Sequence, residues 1–340
     1  MRATVLGAGV AGLACAVELA ERGVAVEVLE REERLGAGCC SWYAGGMLAP
    51  WCELENAAPL VASLGAESLT WWRARFAGTA LKGSLVLAHG RDAGELKQFA
   101  HRTERYEWLG SEAIGQLEPD LAGRFGQALY FKDEGHLDPR AALGALAGRL
   151  IELGGAIRFG VTAMSERESA LSAGDARIDC RGLAARDALA DLRGVKGEML
   201  IVKLPEIALS RPVRVLHPRV PVYIVPRGEG CYMVGATMIE SDEPSRITAR
   251  SMLELLGAAY ALHPAFAEAQ ILEIGTGVRP AFPDNLPRVC RIGGTVHVNG
   301  LYRHGFLLAP ALARQAAQLV LGGGDSIEVM HADSRQRRLA

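Results

Sequence analysis

Long apolar runs are missing from this sequence. No uninterrupted stretch approaches the ~18 residues that a membrane-spanning helix needs, and Arg314 and Gln315 interrupt the apolar segment near the C-terminus. Charge of one sign is missing too. Lys and Arg number 37 and Asp and Glu 39, for a formal net charge of −2. They are interspersed without a basic block, so neither a nucleic acid nor an anionic membrane is an expected partner. The slightly basic end, HADSRQRRLA, reads as a solvated terminus. Met1 and Arg2 lead at once into a Gly-rich strand-turn with no signal-peptide pattern, so a soluble, cytoplasmic protein is expected.

Cysteine is present but unorganised. The seven residues, Cys15, Cys39, Cys40, Cys52, Cys180, Cys231 and Cys290, form no CxxC pair with a matching His set, so no zinc site is expected. In a reducing compartment most of them read as small buried side chains. Adjacent Cys39 and Cys40 invite a redox reading, but a vicinal disulfide is strained. The sequence also offers no Ser/His/Asp or Cys/His pattern for nucleophilic catalysis, no internal repeat and no low-complexity linker.

What is present is half apolar and rich in Gly and Ala, which suits a close-packed α/β protein of one large or two modest domains. The most informative stretch is ATVLGAGVAGLACAVELAERGVAVEVLERE, residues 3–32. A buried strand runs into Gly7, Gly9 and Gly12, in the pattern GxGxxG, and a helical period follows to a stop at Gly23. A second strand ends at Glu30. Gly7 permits the tight turn, Gly9 admits a pyrophosphate to the backbone, and Gly12 lets helix and strand approach. Val10 and Ala11 open the helix whose N-terminus would face the phosphates, and Glu30, followed by Arg31, can accept from a ribose diol. This is a dinucleotide site. Glu30 disfavours the extra phosphate of NADP, but the unit alone leaves FAD and NAD both open. The Gly- and Ala-rich loop ERLGAGCCSWYAGGMLAP, residues 33–50, suits a flavin, with Cys40, Ser41, Gly45, Gly46 and Met47 placed along it.

Further on, residues 58–76 read as a helix and 84–131 as short strands with a helical piece. A crossover helix begins at Pro139 and leads into a strand over 156–164 that carries Val161. A hairpin over 220–240 turns at Gly228-Glu229-Gly230, a helix follows over 246–264, and the strand TVHVNG leads into a last helix.

Six segments in order, GxGxxG with Glu30, AGGMLAP (44–50), YIVPR (223–227), VGATM (234–238), GVRPAFPDNLP (277–287) and LYRHGFLLAP (301–310), resemble the D-amino-acid oxidase family of FAD-dependent oxidoreductases. Within it they resemble the glycine oxidases of the thiamine-biosynthesis type. The resemblance covers most of the chain and is weakest near 80–135 and around DCRGLAARDAL.

It implies an α/β fold: a Rossmann-like FAD-binding domain (1–50, 136–200 and 288–340) with an interleaved, mostly antiparallel α+β substrate domain (51–135 and 201–287). It implies noncovalent FAD, a small amino-acid substrate, dioxygen as acceptor and a possible homo-oligomer. Arg279 matches the arginine that grips the substrate carboxylate, Tyr223 the tyrosine that assists it, and Arg303 a second substrate-side arginine, while Met238 and Met47 match pocket-wall methionines. A planar guanidinium suits a carboxylate chemically; the bland alternative is that Arg279 caps a carbonyl or pairs with Asp284. His304, Gly305, Phe306 and Leu307 open the last helix, whose N-terminal amides would oppose negative charge on the flavin ring. His304 is equally readable as a structural residue.

Three departures stand out: CCSWY at 39–43, Arg181, and PDN at 283–285. Two rival readings also remain open, a flavin dehydrogenase with a quinone or protein acceptor and a nucleotide-binding module without catalysis.

Overall fold

The structure, a computed structural model, describes residues 1–162, 175–217 and 221–322. The basic end at 331–340, the last two residues of the expected 156–164 strand and Val220, at the start of the expected hairpin, lie outside them. The chain divides into two compact units, each assembled from separated segments. One takes Met1–Cys39, Leu143–Val195 and the chain from Arg279; the other takes Cys40–Ala142 and Lys196–Val278.

The first unit is built on a six-stranded sheet in the order Arg288–Ile292, Thr295–Asn299, Ala176–Asp179, Arg2–Leu6, Ala25–Leu29 and Ala156–Arg158. Neighbours are parallel except for the antiparallel edge hairpin of 288–292 with 295–299. Parallel neighbours require a crossover, and the helix Val10–Ala20 makes the first one. It is buried along nearly its whole length, and Gly23, at φ +80°, turns the chain back into the second strand. The last helix, Gly305–Val320, packs against it. Alanines at 311, 313, 316 and 317 are all buried there, and such small side chains let two helices approach closely. Arg314 and Gln315 interrupt the apolar character of this helix without ending it.

The second unit carries an eight-stranded sheet in the order Gln270–Ala281, Arg193–Lys203, Cys231–Gly235, Val222–Gly228, Val213–Leu216, Ser84–Ala88, Gln127–Phe131 and Glu107–Gly110. It is mostly antiparallel, 84–88 with 213–216 being a parallel pair. The helix Ala249–Leu262 starts at Thr248, whose Oγ1 accepts the Ser251 N–H at 3.2 Å. Leu255, Ala259 and Leu262 of this helix pack with Leu85, Leu200, Ile224 and Val234 in one core. A two-stranded ladder pairs Met47–Leu48 with Gly135–His136.

Three expectations need correction. The helix read over 58–76 is two, Pro59–Ala66 and Ser68–Arg75. Ser68 explains the break, because its hydroxyl donates to Gly65 O at 2.8 Å and competes with the helical bond there. The strand read from 156 spans only Ala156–Arg158 among the described residues, and Gly160 at φ +70° turns the chain away from the sheet. Of the seven cysteines, three rather than most are buried: Cys15, Cys52 and Cys180. None of the seven forms a disulfide.

Candidate active site

In the first unit the two ends of the GxGxxG turn are held by contact rather than by choice of side chain. Gly7, at φ +94°, donates its N–H to Leu29 O at 2.8 Å, and a Cβ there would lie 2.9 Å from Cys180 O. A Cβ on Gly12 would lie 1.9 Å from Gly7 O. The first helix has no side-chain cap and no acid in its first turn, so its N-terminal amides carry no competing negative group from their own turn. Glu30 stands beside this turn: one carboxylate oxygen accepts the Ala8 N–H at 2.7 Å and the other the Glu32 N–H at 3.1 Å. Val161 joins them, its N–H donating to Glu30 O at 2.9 Å. Arg31 points elsewhere and pairs with Glu32 at 3.1 Å on the surface.

The last helix reaches the same place. A Cβ on Gly305 would touch Val10 at 3.3 Å, so the N-termini of the first and last helices meet. His304, buried, occupies the cap position without a side-chain cap bond, and Phe306 and Leu307 are buried behind it. The approach is set by Gly300 and Tyr302, both at positive φ, and the Tyr302 N–H donates to Pro280 O at 3.1 Å. Arg303 lies with its guanidinium 5.9 Å from the Tyr302 ring. Arg279 stands on the strand 270–281, while Asp284 lies 3.6 Å from Arg288. The N-terminus of the first helix, the two glycines that leave no room for side chains and the acid at the second strand fit the adenosine diphosphate portion of a dinucleotide.

The second unit gathers its own set. Tyr223 and Met47 pack on the buried cluster of Met199, Val225 and Met233, together with Tyr43. Gly45 lies so close under the Tyr223 ring that a Cβ would sit 2.7 Å from Cε2. Gly46, at φ +71°, accepts the Leu137 N–H at 2.9 Å. Cys40, Ser41, Trp42 and Tyr43 form a short 3-10 turn. The Tyr43 ring is accommodated by Gly275, where a Cβ would come within 2.4 Å, and Cys40 by Gly277. Met238 is half exposed, on a segment that Thr237 and Ile239 tie down: the Thr237 N–H donates to Glu198 O and Ile239 exchanges both backbone bonds with Lys196.

Two residues with clear work here carry no motif that names it. Arg227 of YIVPR is a buried cation holding three backbone carbonyls, and the signal was an arginine inside an otherwise apolar hairpin. Arg181, unaccounted for by the resemblance, makes ion pairs with Asp179 at 2.6 Å and Asp187 at 2.9 Å. Those carboxylates raise its pKa, with burial opposing. Among the described residues no group of His, Cys, Asp or Glu could hold a metal ion, and no helix is long and apolar enough to cross a membrane.

The family pattern described as DAO, FAD dependent oxidoreductase, matches residues 2–319. The chain belongs to that family. This FAD-dependent oxidoreductase is 55% identical over 322 residues to the putative thiamine biosynthesis oxidoreductase ThiO of Rhizobium etli, covering 94% of this chain and 97% of that protein. It is 27% identical over 369 residues to a glycine oxidase of Bacillus licheniformis, covering 99% of this chain and 97% of the other. The crystal structure of glycine oxidase from Geobacillus kaustophilus superimposes with a TM-score of 0.79 at 25% identity, over 94% of this chain and 95% of that one. The oxidoreductase is therefore an FAD enzyme of the glycine oxidase type.

Proposed function

We propose that the enzyme oxidatively deaminates a small amino acid, glycine first: glycine, dioxygen and water give glyoxylate, ammonia and hydrogen peroxide. The observation that carries this reading is the Tyr223 ring bedded on Gly45, with Met47 in the same apolar cluster, in a chain whose relatives include glycine oxidases. In this reading Met1–Cys39, 143–195 and the chain from Arg279 hold FAD, and the other unit shapes the substrate's surroundings.

Bound FAD supplies the acceptor for the hydride that leaves the substrate Cα. The chain supplies orientation. Arg279 grips the carboxylate through two parallel N–H bonds, and the Tyr223 hydroxyl donates a third. Arg303 adds positive charge on the substrate side, and the thioethers of Met47 and Met238 line the pocket without hydrogen-bonding demands. Gly7, Gly9, Val10, Ala11, Gly12 and Glu30 hold the adenosine diphosphate portion, with Val161 beside them. The amides of Gly305, Phe306 and Leu307 would stabilise negative charge on bound flavin, and Cys40, Ser41, Gly45 and Gly46 would help to hold it. No side chain is asked to take or give a proton, because the substrate reacts as its neutral amine; holding it in place is the enzyme's contribution. A cytoplasmic location agrees with seven cysteines outside disulfides.

The test is a visible spectrum of the purified enzyme under nitrogen during titration with glycine. Flavin bands should bleach, then return with peroxide when air is admitted. Bands indifferent to glycine, sarcosine and D-alanine would sink the substrate assignment. Bleaching by glycine without peroxide in air would identify a dehydrogenase instead. Arg279→Ala should lower kcat/KM by about 100- to 1,000-fold, the loss expected when one partner of a desolvated charge pair is removed.

A further inference from the structure

One buried cation of the second unit has no part in the chemistry above. The Arg227 side chain is 7% exposed. Its Nη1 donates to Leu137 O at 2.8 Å, and its Nη2 donates to Ala44 O at 2.9 Å and Gly45 O at 3.0 Å. The Asp138 carboxylate lies 3.6 Å from Nε. Burial pushes Arg227 down to about 10, with Asp138 opposing that shift. A charge kept in such a place needs a reason, and the reason visible here is geometric. Its three carbonyls belong to two segments, 44–46 and 137, which also clasp each other through the Leu137 N–H on Gly46 O. The cation itself stands on the strand 222–228, which also carries Tyr223.

We propose that Arg227 is a positioning residue for Tyr223: it staples the Ala44–Gly46 turn to that strand, so that Gly45 becomes the bed on which the tyrosine ring rests. The inference rests on the reading of Tyr223 as a carboxylate-contacting hydroxyl. Contact between Gly45 and the ring is tight enough to exclude a methyl group, so a shift of the turn by a few tenths of an ångström tilts or frees the ring. Only a planar fork serves three divergent carbonyls at once; an ammonium on a flexible stem reaches fewer of them.

The experiment compares Arg227→Lys, Tyr223→Phe and the double variant as FAD-loaded enzymes, with flavin content reporting the fold. Two readouts are used: KM and kcat for glycine, and the Kd for glycolate, an unreactive carboxylate of the same size, read from the flavin spectrum. Arg227→Lys should raise KM and the glycolate Kd about tenfold, with kcat within about threefold, as expected when uniform binding is lost. The double variant should be no worse than Tyr223→Phe alone. Multiplying effects, or an unchanged Arg227→Lys enzyme, would overturn the proposal. A Tyr223→Phe enzyme that binds glycolate normally would instead overturn the reading beneath it. Gly45→Ala pushes a methyl group at the ring without touching Arg227 and should reproduce the same rise in KM. It decides the matter if Arg227→Lys does not fold, and a neutral Gly45→Ala then refutes the proposal.

Discussion

A single hydrogen atom at position 12 decides whether the nucleotide turn can exist. With Gly7 O only 1.9 Å from where a Cβ would stand, Gly12→Ala has to separate the helix from the first strand. Overpacking of this kind costs ~1–3 kcal/mol or more. The expected result is a lower urea midpoint together with loss of bound flavin, whereas an alanine variant with normal flavin content would contradict the tight contact. Glycines of this sort are legible in sequence because their rule is local: backbone angle and spacing name them. Glu30 is legible for the same reason. Arg227 and Arg181 are not. The carbonyl of Leu137 lies 90 residues from Arg227, and no spacing rule links them. Arg181 finds one partner two residues away and another six away, but only the fold shows that both carboxylates face it.

Elements with their own punctuation were legible too. The first helix with Gly23 behind it and the hairpin at Gly228–Gly230 both occur where their start and stop residues stand. The helix over 58–76 failed because Ser68 acts as a cap-like competitor in the middle of a good helical pattern. The short strand Gly135–His136 had no legible pattern at all, and the residues around it are the most consequential titrating groups of the second unit. Glu134, fully buried, accepts the Trp51 and Cys52 N–H groups at 3.0 and 2.7 Å and the Ser84 hydroxyl. Burial pushes it up to about 8 from an ordinary 4.5, against the pull of Ser84, Cys52 and Arg214. Burial pushes His136 down to about 4 from 6.5, with Arg227, Lys82 and Arg211 adding to it.

The signs of these two shifts set two opposing contributions to the pH profile. A raised acid stabilises the fold fully below its unfolded value and loses that stability as pH rises towards 8. A lowered histidine stabilises above 6.5 and loses that stability as pH falls towards 4. Between about 4.5 and 6.5 folded and unfolded chains bind equal numbers of these protons, so the two contributions cancel. Between 6.5 and 8 only the glutamate slope remains, worth about 2 kcal/mol over that interval at ~1.4 kcal/mol per unit. Urea midpoints should therefore fall between pH 6.5 and 8. Glu134→Gln should abolish that fall and uncover a rise between pH 4 and 6.5. A variant with the same fall as the parent would place the titration elsewhere.

At the scale of the whole molecule the family, the fold class and the cofactor were all readable, because six motifs in a fixed order constrain a chain far more than any one does. Where each unit begins and ends was less so: both divisions after residue 142 fall beside or within regular elements, at 195–196 and 278–279, where no Gly- or Pro-rich linker marks them. Flavin should also weigh on stability. A ligand that binds only the folded state at 100 times its Kd adds ~2.7 kcal/mol. Stripping FAD should therefore lower the thermal midpoint by several degrees, and titrating it back should raise the midpoint with concentration. A midpoint blind to added FAD would mean that the nucleotide turn is not a binding site.

The packing of the first helix on the last carries a consequence for the protein's birth. Leu13, Val17 and the alanines around them emerge from the ribosome long before Gly305–Val320, the surface that covers them. At ~5–20 residues per second, the apolar flank of a nascent amino-terminal segment waits roughly 15–60 s for its partner. During that wait the nucleotide turn has the strand before it and the strand after it, but not the second helix end that completes it.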